Sequence, residues 1–437
     1  MLSEKAGLFS NLSAEEKRRL LERMLREKDK KREKDSTTLE SAFEFPPEYA
    51  GYRKKLETTG EEGVGDLFYR SFEGVNTRHA LIDGVKAINF CSYNYLDLSG
   101  DERVGAAAKA AIETDGTSVS ASRLVSGERP VHAALESALA RWIGVDAALA
   151  FVGGYGTNED VIGHLMGAGD LILYDSLIHA SVQQGARLSG ATVIPFPHNN
   201  PQALESILQR RRAQARHALI VVEGVYSMDG DIPDLPALVE IKQRHQALLM
   251  VDEAHSMGVI GATGKGLSQY AGVPPRSVDL WMGTLSKTFA SCGGYIAGSQ
   301  DMVSYLRHTA PGFVFSVGLA PPLAAAALAA LQILEEQPQR VAVLHARALL
   351  FHTLARTAGL DVGVASPESA IVPIMVGESE KAARLSRALL KKGVLALPIG
   401  FPAVPENKAR LRFFLSSAHT EEDIRSAVKA LAAESAA

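Results

Sequence analysis

Seven short apolar runs between residues 100 and 298, separated by glycine-containing or polar turns, narrow the possible folds more than any other feature of this chain. They cover 148–152, 171–174, 192–196, 218–222, 248–251, 280–282 and 295–297. Between them, 131–143, 159–167 and 201–213 carry apolar residues at helical spacing. Strand and helix alternating in this way predict an α/β fold: a mostly parallel, seven-stranded sheet covered by helices on both faces. Ligands of such sheets bind beyond the carboxyl ends of the strands, so the residues just after each run are the first candidates for function. From Leu323 onward, long helical stretches precede two strand-like segments, 370–376 and 410–415. They predict a smaller α+β domain that recruits a strand pair near 78–90. The expected division is 1–65 as an N-terminal helix and linker, 66–99 as the first part of the small domain, 100–322 as the large domain and 323–437 as the rest of the small one.

Of the 437 residues, 46% are hydrophobic, enough to bury a large core. A net charge of −4 gives no basic field to attract nucleic acid or an anionic membrane surface. Two cysteines, Cys91 and Cys292, cannot build a disulfide framework, and the first residues lack the apolar core of a signal peptide. A reducing, cytoplasmic location is therefore expected. Residues 312–334 carry no charge and are long enough to cross a bilayer. Pro321-Pro322 interrupts them and alanine, a weak driver of insertion, fills much of the rest; a loop and a buried helix are expected, with no integral span. The N-terminal region reads differently. Ser13-Ala14-Glu15-Glu16 is a capping box, followed by a narrow stripe of Leu20, Leu21, Met24 and Leu25 and then the charged run REKDKKREKD. It reads as a solvated helix and linker or as a docking segment, closed by Pro46-Pro47.

The chemistry concentrates after the apolar runs. Asp252 and His255 follow one directly, as a helix-capping carboxylate with a polar neighbour or as a functional pair. Lys287 lies in GTLSKTFASCGG, 283–294, among Thr284, Ser286 and Thr288. An ordinary loop lysine is one reading; an amine of depressed pKa, beside hydroxyls and amides able to bind a phosphate, is the other. An aspartate on one strand end and a lysine on another suit a pyridine ring held between them, with the carboxylate keeping the ring nitrogen protonated. In FVGGYGTNED, 151–160, a strand turns through Gly153, Gly154 and Tyr155 into a helix expected from about Thr157. Its free amides would make an anion site, although the dinucleotide spacing is missing. His179 could stack on such a ring or be a satisfied structural histidine. Arg410 and Arg412 share strand parity, and Arg412 reads as a carboxylate clamp or a surface ion pair.

Taken together, SYNYLDLS (92–99), EGVYSMDGD (223–231), DEAHSMGVIG (252–261), 283–299 and PAVPENKARLRFFLSSAHT (402–420) resemble the α-oxoamine synthases, in the order and spacing of that family. The resemblance runs from about Tyr69 to the C-terminus and implies a fold-type I, pyridoxal-phosphate-dependent transferase. It also implies a homodimer with active sites shared between subunits. By motif, Lys287 resembles the Schiff-base lysine, Asp252 the partner of the ring nitrogen, His255 the donor to the ring's phenolic oxygen and His179 the stacking histidine. These four form the expected catalytic set. Gly154, Tyr155 and Thr284 match phosphate positions, Ser227 a serine lining the cofactor, and Ser316 a residue reaching the neighbouring chain's phosphate. Arg412 matches the arginine that binds the substrate carboxylate.

The implied reaction condenses an amino acid with an acyl thioester, releasing carbon dioxide. Tyr93 resembles serine palmitoyltransferase at a position where 5-aminolevulinate synthase has asparagine. Ser122, near the expected amino-acid side chain, leaves more room than threonine and favours alanine or serine over glycine. Asp97 stands where the family usually has glycine, and Ala403 where a threonine or serine often precedes Val-Pro. LSAEEKRRLLERMLREK resembles linkers between modules of polyketide and peptide synthases, so the acyl donor is expected on a carrier protein or on coenzyme A. Three rival readings are another fold-type I enzyme such as an aminotransferase or carbon–sulfur lyase, a non-catalytic partner subunit, and an interaction module. The second conflicts with the presence of Lys287, Asp252, His179 and His255.

Overall fold

The computed structural model describes residues 45–47, 49–51, 53, 67–401 and 403–435. The capping box and the Leu20, Leu21, Met24 and Leu25 stripe lie outside the described residues. The chain divides into two compact units, Met1–Asp66 and Leu67–Ala437. In the first, the described residues include a helical turn after Pro46-Pro47, where the Tyr49 amide donates to the Pro46 carbonyl at 2.8 Å. The second unit carries the functional residues.

All seven apolar runs are strands of one sheet. After β1 (Phe72–Glu73), β2 (His79–Ile82) and β3 (Val85–Asn89) come β4 (Ala147–Phe151), β5 (Leu171–Asp175), β6 (Thr192–Phe196), β7 (Ala218–Glu223), β8 (Leu248–Asp252), β9 (Leu280–Thr284) and β10 (Gly294–Gly298). The sheet order is β4-β10-β9-β8-β7-β5-β6. Neighbours from β9 to β6 run parallel, while β10 is antiparallel to both β9 and β4. Successive side chains leave opposite faces of a strand. Leu219 and Val221 of β7 therefore pack with Leu149, Met250 and Ile296 on one side, and Ile220 and Val222 with Leu249, Val251 and Tyr295 on the other. Every residue of β7 is buried, as a central strand covered on both faces requires.

The uncharged stretch 312–334 ends a short helix, Pro311–Val314, then forms a loop and enters helix Pro321–Glu336, with Ala324, Ala327, Ala330, Leu331 and Leu334 fully buried. Its alanines let helix Glu102–Asp115 pack closely. No helix among the described residues is long and apolar enough to cross a membrane.

Two small sheets complete the unit. β11 (Ile371–Gly377) pairs with β14 (Ala409–Phe414), which also pairs with β13 (Pro398–Ile399). The strand pair near 78–90 joins neither of the two long C-terminal strands, contrary to expectation. It joins β12 (Val394–Leu395), which lies parallel to β3 with Val394 opposite Ile88 and Leu395 opposite Asn89.

Candidate active site

The carboxyl ends of β7, β8 and β9 place Glu223, Asp252 and Thr284 along one edge. Register sets Glu223 opposite Asp252 and Asp252 opposite Met282. These residues, with Lys287, His179, His255 and the start of helix Gly154–Leu165, line a cavity of about 150 Å³.

Asp252 is buried and held from two sides. Asn158 Nδ2 donates to its Oδ2 at 2.8 Å, and the Ala254 amide to its Oδ1 at 2.9 Å. Asn158 also donates to Ser181 Oγ at 3.0 Å. Glu223, on the adjoining strand, accepts from the Ser227 amide at 3.0 Å, while its Oε1 has no partner. Burial first, then the charge of Asp252, pushes the Glu223 carboxyl up to about 8.

Lys287 sits in the nine-residue hairpin 285–293 between β9 and β10. The Leu285 amide donates to the Gly293 carbonyl at 2.9 Å, Thr284 Oγ1 to the same carbonyl at 3.1 Å, and Thr288 Oγ1 to the Met257 carbonyl at 2.8 Å. The amine lies 5.6 Å from the ring centroid of Tyr93 and forms no ion pair among the described residues. Burial pulls its pKa down to about 8; Asp252 and Glu223 oppose the shift and Arg412 adds to it. Near neutrality a usable fraction is therefore unprotonated and nucleophilic.

Helix Gly154–Leu165 starts three residues before the expected Thr157. Its cap, Gly153, provides no side-chain hydrogen bond, so amides of the first turn are left for a ligand. Small residues let this end come close. A Cβ on Gly154 would lie 2.8 Å from Thr284 Oγ1, and one on Gly294 would lie 2.7 Å from the Gly154 Cα. The result is an anion cradle of helix amides, which the Thr284 hydroxyl joins only by turning from the Gly293 carbonyl.

His255 is buried, with Nδ1 2.7 Å from the Tyr95 hydroxyl. Burial, reinforced by Lys287 and Arg412, holds its imidazole well below the usual range. Burial likewise keeps Tyr95 protonated. Tyr95 thus donates to Nδ1, and the neutral tautomer carries its proton on Nε2. His179 caps helix Ala180–Ser189, its Nδ1 accepting from the Ser181 amide at 3.3 Å and lying 2.7 Å from Ser181 Oγ. Desolvation lowers its pKa, with Asp252 opposing.

Arg412 and Arg410 reach the same segment, as their parity predicted. Arg412 donates to the Ser227 carbonyl at 2.6 Å and lies 4.6 Å from the Phe414 ring centroid; its Nε has no hydrogen-bond partner among the described residues. It forms no ion pair with a described residue, whereas Arg410 is neutralised by Asp229. The half-buried cation left open is thus Arg412, not its neighbour.

The other expected residues fall into two groups. Tyr93 stands beside Lys287, edge-on to His255 at 5.7 Å. Ser227, Ser122 and Ser316 do not line this cavity. Ser227 borders an adjoining one, Ser122 donates to the Val314 carbonyl at 2.6 Å, and Ser316 donates to the Val317 carbonyl at 3.1 Å. Sequence reasoning missed Asn158, Glu223, Ser181 and Tyr95. A signal existed for Glu223, a charge ending an otherwise apolar run, and for Asn158, one turn into a helix that packs on the sheet.

A cavity with a nucleophilic amine, a fixed carboxylate and an anion cradle, and the Arg412 guanidinium close enough to act on Lys287, suit a phosphorylated aldehyde cofactor and a carboxylate substrate. Comparison with known proteins agrees. The family model for class I and II aminotransferases matches residues 85–431. The 8-amino-7-oxononanoate synthase of Geobacter metallireducens is 41% identical over 385 residues, covering 87% of this chain and 97% of that protein. A lysine-to-alanine variant of serine palmitoyltransferase from S. paucimobilis, with a bound PLP–myriocin aldimine, superposes with a TM-score of 0.86 at 30% identity, covering 90% of this chain and 98% of that one. The 8-amino-7-oxononanoate synthase of Francisella tularensis does so with a TM-score of 0.70 at 26% identity, covering 80% and 97%.

Proposed function

Because the chain belongs to the class I and II aminotransferase family and, within it, to the pyridoxal-phosphate-dependent α-oxoamine synthases, we propose that it condenses alanine or serine with an acyl thioester. The products are an α-amino ketone, carbon dioxide and the free thiol. The observation that carries this reading is the Lys287 amine, lowered to about 8 in a cavity that also holds the buried Asp252 carboxylate.

The residues present fit the cofactor: an uncapped helix start faces the Thr284 hydroxyl, and Asp252 is fixed by Asn158. Lys287 would carry it covalently, Asp252 would hold the ring-nitrogen proton, and the Gly154 and Tyr155 amides with Thr284 would hold the phosphate. When bound, pyridoxal phosphate supplies a protonated ring that accepts electron density from the amino acid Cα. His255 would donate from Nε2 to the cofactor's phenolic oxygen, and His179 would stack against its ring. Arg412 clamps the substrate carboxylate and thereby orients the Cα bonds. Lys287 takes the Cα proton. A bond then forms between Cα and the acyl carbonyl carbon, and the carbon–sulfur bond breaks with departure of thiolate, which takes a proton from water. The Cα–carboxylate bond breaks to release carbon dioxide, and the electron pair left on Cα is protonated by Lys287, which returns the proton it took.

Carbon dioxide release, screened over glycine, alanine and serine with several acyl thioesters, tests the reading. Amino transfer to an oxoacid without carbon dioxide would replace it with an aminotransferase. Parallel assays with acyl-carrier protein and acyl-coenzyme A separate the two forms of donor; we propose the carrier protein, on the linker-like sequence at 12–28.

Arg412→Ala should raise the KM for the amino acid about 100-fold, since charge-assisted hydrogen bonds contribute roughly 1.5–3 kcal/mol. Arg412→Lys should recover only part, because a point charge cannot reproduce the planar fork. An unchanged KM would remove Arg412 from the substrate site.

We also propose that a second copy of the chain covers the face around Ser316. Its neighbours Phe315 and Val317 are 85% and 51% exposed, and Val125 is 81% exposed. Such apolar exposure favours association. A monomer by sedimentation at micromolar concentration would exclude this arrangement.

A further inference from the structure

A second, larger cavity of about 800 Å³ adjoins the catalytic one, and His179 lines both. Its wall is built from Leu177, Ile178, Met228, Val364, Met375 and Val404. Val364 is 65% exposed and Leu177 45% exposed, so apolar side chains here stand in water until a ligand covers them.

The charges along this wall are largely satisfied from within the protein. Arg410 pairs with Asp229. His198 lies between Asp175 and Asp231, at 2.8 Å from each, and those two carboxylates hold its pKa up at about 10. Lys408 and Asp361 are the exposed exceptions, and Lys408 has no ion pair with a described residue. Ala403, at the position where a hydroxyl often stands in the family, adds a methyl to the lining instead.

We infer that this chamber receives the acyl chain of the thioester, and that the chain it takes is aliphatic and uncharged at its far end. The inference rests on the condensation reading above and names its acyl substrate class. Continuity through His179 puts the chamber beside the Cα where the new carbon–carbon bond forms. An apolar wall rewards each buried methylene by roughly fourfold in affinity. A terminal carboxylate drawn into the same space would be desolvated beside Arg410 and His198, already neutralised by Asp229, Asp175 and Asp231, and a pair with the open cation, Lys408, would be exposed and weak.

The test uses the full-length enzyme with pyridoxal phosphate and alanine. Donors of four, eight and twelve carbons on one thiol are compared, together with an eight-carbon donor ending in carboxylate. kcat/KM should rise at least tenfold from four to eight carbons, and the methyl-ended eight-carbon donor should exceed its carboxylate counterpart by at least tenfold. Val364→Trp and Met375→Trp each narrow the chamber from a different side. Either should cut the twelve-to-four-carbon ratio at least tenfold. A flat length profile, a preference for the carboxylate donor, or a profile unmoved by both variants would overturn the assignment, and a second protein chain filling the groove would give that last result. Absence of carbon dioxide release with every donor and amino acid would overturn the condensation reading itself.

Discussion

Lys287→Ala should lower carbon dioxide release by at least about 10³-fold, because the substitution removes both the covalent anchor and the base that takes the Cα proton. A placed general base alone contributes roughly 10²–10⁴-fold. The fold should survive: Lys287 forms no ion pair with a described residue, and the hairpin is pinned by backbone and threonine hydrogen bonds instead. Circular dichroism separates a dead enzyme from an unfolded one. The same amine predicts a pH dependence. Only its unprotonated form attacks an aldehyde, and burial lowers its pKa to about 8. Capture of pyridoxal phosphate by wild-type apoenzyme should therefore accelerate as pH rises through about 8, giving a visible absorbance and a hydride-reducible bond on Lys287. Capture that accelerates only above pH 10, or reduction that labels another side chain, would defeat this assignment.

Asp252→Asn should cost about 10³-fold in kcat, near the upper end of what removing one preorganised electrostatic partner costs. The amide is nearly the same shape, but it cannot neutralise a protonated ring nitrogen, so electron density from Cα has no sink. Binding of the amino acid should change far less, because Arg412 supplies the carboxylate contact. Asp252→Glu provides the control: it restores charge while displacing it, and should recover part of the rate. Loss of binding with kcat preserved would mean that Asp252 is structural. A second consequence concerns Glu223. It sits opposite Asp252 in register and is raised to about 8 partly by that charge. Removing the charge should lower the Glu223 pKa, and a carboxyl stretch shifting to the ionised form at neutral pH would record it.

The central strands were legible because strands buried on both faces need continuous apolar runs, and residues such as 218–222 can do little else. The candidate residues at the strand ends followed from that geometry. What could not be read was pairing. Nothing in 294–298 announces a strand inverted between two neighbours, and nothing in Val394–Leu395 announces a partner three hundred residues away. The helix start at Gly154 was missed because glycine is a poor helix former; close packing of Gly154 against Gly294 and Thr284 overrides that preference. Asn158 and Glu223 stand at telling places, one turn into a helix and at the end of an apolar run, but only the fold shows that they meet at Asp252. Ser122, Ser227 and Ser316 came from motif alone, and none lines the catalytic cavity of its own chain.

The inverted β10 makes Lys287 part of a hairpin rather than of a strand-to-helix crossover. A crossover can absorb inserted residues in its loop. This hairpin cannot, because Gly294 must face Thr284 at one end while Thr288 is tied to Met257 in the middle. One extra residue displaces the chain by about 3.3 Å, more than a hydrogen bond tolerates. Segment length between the two strands is therefore under the same constraint as the lysine's identity, and anyone grafting or recombining this region with another scaffold has to preserve all nine connecting residues.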